Sequence, residues 1–185
     1  MQIYDITQEL FSSVVFPGDP VPSYERVRSM DEGSICNLTT VSMCAHNGTH
    51  MDAPFHFIKD GITIEQLELD RVVGPCTVVE AAGEVTPEEV DRWMASSEKR
   101  LLIKGSDIKL TAEAAAAMNR NGIRLIGIEP QSVGMAHVEL LSHEVAVLEG
   151  LVLRDIEPGD YFLSAAPIKF GGADGAPVRA LLIRF

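Results

Sequence analysis

No apolar stretch in the chain approaches the roughly 20 residues that a helix needs to cross a bilayer. The opening Met1-Gln-Ile-Tyr-Asp5 also lacks the basic start and apolar run of a secretory leader, so a cytoplasmic protein is expected. Basic clusters are missing as well. The 15 Lys and Arg stand against 27 Asp and Glu, a formal charge of −12, and nowhere gather as a phosphate backbone or an anionic membrane surface would demand. Nucleic-acid and membrane partners are thereby excluded. Cysteine is scarce: Cys36, Cys44 and Cys76 are an odd set without a Cys-x-x-Cys pair, which suggests neither a complete disulfide framework nor a zinc knuckle. All three are expected to be small, buried and reduced, and Cys44 to make an apolar contact rather than to act as a thiol ligand or nucleophile. There is no Gly-x-Ser-x-Gly elbow to carry a serine nucleophile. Gly171-Gly-Ala-Asp-Gly175 lacks the Lys and hydroxyl residue of a phosphate loop, so it reads as a turn.

What is present is a chain of 185 residues, 46% hydrophobic and 23% charged, long enough to bury a core without covalent help. No repeat or linker divides it, and residues 1–185 are read as one domain. Gln2 to Ile6 and Asn37 to Ala45 read as strands, with Phe16-Pro-Gly-Asp-Pro20 a tight reversal between them. Val-rich Arg71 to Ala82 suggests a third strand. Thr86-Pro-Glu-Glu89 has a cap, a proline at the first helical position and a glutamate that closes a capping box, which predicts a helix to about Ala95. A β-α-β rhythm follows, with strands at Arg100 to Lys104 and Arg124 to Glu129 around a helix from Thr111 to Asn121 that Gly122 stops. A short helix at Ala136 to Ser142 and strands at Glu144 to Glu149, Tyr161 to Ala165 and Val178 to Phe185 complete an α/β or α+β class with more strand than helix.

Three of the five histidines fall between His46 and His56, in the run His46-Asn-Gly-Thr-His50-Met-Asp52-Ala-Pro-Phe-His56. Asn47-Gly48 is a turn signal that disfavours a helix, so these residues are expected on a loop leaving a strand. His50 and Asp52 are two apart and in an extended segment face the same way, placed to grip one ion. Imidazole nitrogen with carboxylate oxygen suits zinc or manganese. Pro54 biases Ala53 toward extended backbone and is expected to hold His56 away from a helical continuation, leaving His56 an acid or base beside the ion. A single histidine is more often a hydrogen-bonded core or surface residue. Four such groups at these spacings point instead to a metal site.

The run resembles the His-x-Gly-Thr-His-x-Asp-x-Pro-x-His signature of the cyclase-like metal-dependent hydrolases, the family of bacterial kynurenine formamidase and isatin hydrolase, at every fixed position. The likeness continues through Ile3-Tyr-Asp-Ile6, Phe16-Pro-Gly-Asp-Pro20, Gly127-Ile-Glu-Pro-Gln-Ser-Val133 and Gly172-Ala-Asp-Gly-Ala-Pro-Val-Arg179, nearly the whole chain. It implies the swivelling β/β/α fold, a single domain with a mixed sheet and few helices, assembled as a homo-oligomer, dimer or tetramer. It further implies metal ligation by His46, His50 and Asp52, with Asp52 able to bridge to a second ion, and His56 as acid or base. His137 and Glu149 match the second-metal residues. On the residues alone Glu149 is a solvated turn residue before Gly150, and His143 is ordinary surface. Phe16 stands where formamidases often carry Trp and is implied to touch substrate. Glu129 replaces a more usual Asp, and the Gly105 to Leu110 connection is shorter than in the formamidases, both relevant because loops shape pockets.

The activity so implied is hydrolysis of a small amide through one or two divalent ions, Zn2+ first and Mn2+ second. An aryl formamide such as N-formylkynurenine leads, and a cyclic amide such as isatin or a related lactam is the alternative. From another class, a metal-dependent binding or scaffold protein that performs no reaction stays open, although a pure binding site has no use for the proton carrier at His56.

Overall fold

The computed structural model describes residues 1–185. In chain order the strands are β1 (Gln2–Asp5), β2 (Ser23–Arg28), β3 (Leu38–Ser42), β4 (His50–Asp52), β5 (Val73–Glu80), β6 (Glu84–Val85) and β7 (Arg100–Lys104). Then follow β8 (Lys109–Leu110), β9 (Leu125–Ile128), β10 (Ala146–Glu149), β11 (Gly159–Ser164), β12 (Gly175–Pro177) and β13 (Leu181–Arg184). The α-helices are α1 (Leu69–Val72), α2 (Pro87–Met94), α3 (Ala112–Arg120) and α4 (His137–Leu141).

Nine strands form one mixed sheet in the order β1-β13-β11-β5-β7-β9-β10-β4-β12, parallel from β5 to β10 and antiparallel on both flanks. The central parallel strands β7, β9 and β10 are buried almost throughout because both faces are covered. Leu101 and Ile103 of β7 face one core with α2 and α3, while Leu102 faces the other. α2 starts as the sequence predicts: Thr86 Oγ1 accepts from Glu89 N at 3.3 Å and Glu89 Oε2 accepts from Thr86 N at 3.0 Å. The α3 boundaries also agree, with Thr111 as cap and Gly122 at φ 72° just beyond the end. At Phe16–Asp19 the chain reverses through Pro17 and Gly18, the latter at φ 103°, and Asp19 N donates to Phe16 O at 3.0 Å.

Several expectations are corrected. The stretch read as a strand from Arg71 begins as α1, and β5 starts only at Val73. β2 carries no alternation and is not legible, yet it pairs with β3 as a hairpin exposed on both faces. Cys36, in the connection between β2 and β3, is exposed, and Cys44, just after β3, is half-buried; only Cys76 is buried. His50–Asp52 is a strand within the sheet, not a loop, and Pro54–His56 forms a 3-10 turn because proline suits its first position.

Candidate metal centre

β4 lies between β10 and β12, antiparallel to both. Its register places His50 opposite Glu149 and Asp52 opposite Gly175. His50 and Asp52, two apart, therefore share one face, with Glu149 beside them. His46 arrives on the turn before β4, where Asn47 N donates to Cys44 O at 3.2 Å. His137 opens α4 on the crossover between β9 and β10. The structure thus brings together all six residues singled out for metal or proton chemistry, from positions about a hundred residues apart in sequence.

Asp52 is wholly buried. Its Oδ1 lies 2.9 Å from His46 Nδ1 and 3.4 Å from His50 Nε2, and its Oδ2 lies 3.2 Å from His137 Nε2. Glu149 is buried too, which corrects its reading as a solvated turn residue. Its Oε2 is 3.3 Å from His50 Nε2, and its Oε1 is 3.2 Å from His137 Nε2 and accepts from Val133 N at 2.5 Å. Both imidazoles are fixed from behind by backbone carbonyls: His50 Nδ1 donates to Gly48 O at 3.0 Å and His137 Nδ1 to Gly134 O at 2.9 Å. Each therefore presents an Nε2 lone pair when neutral. Such support at the far nitrogen is how metal-binding histidines are oriented.

The charges fit a cation. Burying a carboxylate costs several kcal/mol unless positive charge accompanies it. Without an ion, protons on the histidines fill that need. Burial alone would lower the His46 pKa, but the hydrogen bonds and charges of Asp52 and Asp174 hold it up at about 9. Asp52 and Glu149 likewise outweigh burial at His137 and hold it at about 10. Burial would raise the Asp52 carboxyl, but hydrogen bonds from His137 and His46 drive it well below the ordinary carboxylate range. The donors form two groups that share Asp52: His46, Asp52 and His56, and His50, Asp52 and Glu149. His46 and His50 both meet Asp52 Oδ1, and the sheet register adds Glu149 beside His50.

His56 stacks on His46 with ring centres 4.1 Å apart, and Phe57 stacks on His137 at 4.5 Å. Burial first, with the charges of His46 and His137 adding, lowers the His56 pKa, so its neutral form dominates at pH 7. A pocket of about 380 Å³ opens above these groups, lined also by Phe16, Asp19, Gln131 and Ser132 and containing no Lys or Arg. Phe16, where the resemblance implies substrate contact, is among the lining residues. Phe57, missed in the sequence, lines it as well, its only signal being adjacency to His56. Asp174 was missed too. It lies in the Gly-rich turn before β12, with Oδ2 2.8 Å from His46 Nε2 and 3.2 Å from His56 Nδ1.

Glu129 and the Gly105 connection lie elsewhere. Glu129 Oε2 accepts from Gly105 N and its Oε1 from Leu153 N, each at 2.8 Å, so this carboxylate ties two loops together outside the pocket lining. His143 sits on the surface against Asn119 and Glu139.

Residues 4–134 match the family model of the cyclases. The chain belongs to the cyclase family. Within it, the chain is 35% identical to kynurenine formamidase of Bacillus anthracis, over 96% of this chain and 95% of that one. A predicted metal-dependent hydrolase from Bacillus stearothermophilus superposes with a TM-score of 0.83 at 28% identity, covering 98% of the cyclase-family chain and 97% of its own. Isatin hydrolase A from Labrenzia aggregata superposes with a TM-score of 0.85 at 23% identity over 98% and 93%, a likeness of fold. The mixed sheet with few helices is thus the family's architecture.

Proposed function

We propose that this chain is a metal-dependent amidohydrolase acting on a small aryl formamide, N-formylkynurenine first, with His46, His50, Asp52, His137 and Glu149 holding the ion and His56 moving the proton. The observation that carries the reading is a fully buried carboxylate, Asp52, ringed by imidazoles at the floor of a pocket sized for a small molecule. The donor set of imidazoles and carboxylates suits Zn2+ first and Mn2+ second, as one or two ions with Asp52 as the bridge. Bound there, such an ion would supply Lewis acidity, lowering the pKa of a coordinated water toward about 7 and polarising the amide carbonyl.

The chain's own residues supply the rest. Neutral His56 accepts a proton as water adds to the formyl carbon, then delivers it to the amide nitrogen as the C–N bond breaks, leaving formate and the aryl amine. Proton transfer of this kind contributes on the order of a hundred to ten-thousand-fold in rate. Phe16 and Phe57 offer apolar faces at the pocket wall, where an aromatic ring packs favourably. No lining cation would pair with a substrate carboxylate, and the one acidic group away from the histidine cluster is Asp19.

Ring opening of a cyclic amide such as isatin is the second reading, because the same addition and proton delivery apply with the amine still tethered. The 35% identity to a kynurenine formamidase favours the formamide. Parallel assays of deformylation and ring opening decide between them: faster formate release from N-formylkynurenine is expected, and turnover of the lactam alone would reverse the order. Turnover of neither by zinc-loaded or manganese-loaded protein would favour a metal-dependent binding protein. A single domain, cytoplasmic residence and assembly as a dimer or tetramer belong to the same proposal. No helix is long and apolar enough to cross a membrane. An isolated hairpin such as β2–β3 is marginal alone, which makes its exposed apolar side chains the natural surface for a second copy, and sedimentation velocity reads that directly.

A further inference from the structure

Asp174 lies in neither donor group, yet one of its oxygens meets both His46 and His56. The β4–β12 register sets its place: Gly175 pairs with Asp52, and the backbone of Asp174 is clamped by Ala53 N donating to its carbonyl at 2.9 Å. The absence of a side chain at Gly175 lets His46 approach, since a Cβ there would stand 2.7 Å from His46 Cε1. The His46 and His56 rings lie nearly parallel at 27°, and each turns one nitrogen to the same Asp174 oxygen. A carboxylate oxygen can only accept, so both nitrogens facing it must carry hydrogen. For neutral rings the consequence is fixed. With hydrogen on Nε2, His46 keeps a lone pair on Nδ1, the atom aimed at Asp52. With hydrogen on Nδ1, His56 keeps a lone pair on Nε2, free to take a proton from the pocket.

We propose that Asp174 is a positioning residue that sets the tautomers of both rings, holding His46 as a ligand through Nδ1 and His56 as a base through Nε2. The assignment rests on the reading of His46 as ligand and His56 as proton carrier. It makes one exposed-edge carboxylate the link between the ion and the proton path.

Long-range 1H–15N correlation spectra of the zinc-loaded protein with 15N-labelled histidine report the tautomer without reference to turnover. His56 is expected as the Nδ1–H form in the wild type, shifting to the Nε2–H form or a mixture in Asp174→Ala. Zinc affinity, measured with the metal alone, should fall about 10–100-fold, and kcat at saturating zinc by a similar factor with KM little changed. Asp174→Asn keeps the shape and serves if the alanine variant fails to fold; a neutral acceptor facing two N–H groups should lower zinc affinity in the same direction. Wild-type His56 protonated on Nε2, or full zinc affinity and an unchanged tautomer in a folded Asp174 variant, would overturn the assignment. If those results hold while neither amide is turned over, the positioning role stands and the hydrolase reading fails.

Discussion

Asp52 and His56 are four residues apart and make opposite predictions. Asp52 has no contact with solvent and lies against three imidazoles, so its loss removes the charge that gathers the site. Asp52→Ala should therefore purify with little or no bound metal, read by elemental analysis. His56 sits at the pocket wall, with part of its ring open to solvent, and His56→Ala should retain metal while losing at least about a hundredfold in kcat. Retained metal in the first variant or lost metal in the second would interchange their roles. Stability of the metal-free chain follows the same groups. His46 and His137, raised from 6.5 to about 9 and about 10, contribute fully below pH 6.5, and that contribution is lost as pH rises through those values. Asp52, depressed below 3.8, contributes above that pH and loses its effect in acid. The metal-free melting temperature should accordingly drop between pH 6.5 and about 10. Zinc competes with those protons, so the gap between loaded and metal-free melting temperatures should widen over the same range. A gap independent of pH would contradict the charge account.

At the scale of elements, the site depends on β4, a three-residue strand with no pattern of its own. His50-Met-Asp52 is too short for alternation to register, and its extended form comes from pairing with β10 and β12 on either side. That is why the sequence pointed to a loop there, while α2 and α3, whose caps are local hydrogen bonds, were legible at both ends. The 3-10 turn at Pro54–His56 was misread for a related reason: the bias proline places on its predecessor was recognised, but its aptness for a first helical position was not. β12 is as short as β4 and sets Gly175 close against the His46 ring. Gly175→Ala would place a methyl group 2.7 Å from the His46 ring and 2.9 Å from Met51 O. The ring must shift, so zinc affinity should fall while a zinc-independent far-UV spectrum is unchanged. Unaltered affinity would show that β12 does not constrain the ligand.

Across the whole molecule, the pattern His46 to His56 announced metal chemistry because its donors are adjacent in sequence. His137 and Glu149 became meaningful only through the resemblance, since nothing local distinguishes a helix-opening histidine or a strand-ending glutamate before the sheet is assembled. Asp174 falls within the Gly172 to Arg179 stretch that the resemblance covers, but nothing there gave it a role of its own. A lone aspartate in a Gly-rich turn reads as a turn residue, and only the β4–β12 register reveals what it faces. The two cores were legible as near-continuous apolar strands, whereas the exposed hairpin was half missed because its polar and apolar residues follow no buried face. The sheet thus acts as a frame that brings six side chains from three parts of the chain to one pocket, and it is this convergence that makes a bound ion central. The most direct measurement is formate release from N-formylkynurenine by protein stripped with a chelator and then titrated with zinc or manganese. The account predicts no turnover in the stripped protein and recovery that saturates at one or two ions per chain. Turnover that persists after complete removal of metal, or protein that binds none, would contradict it.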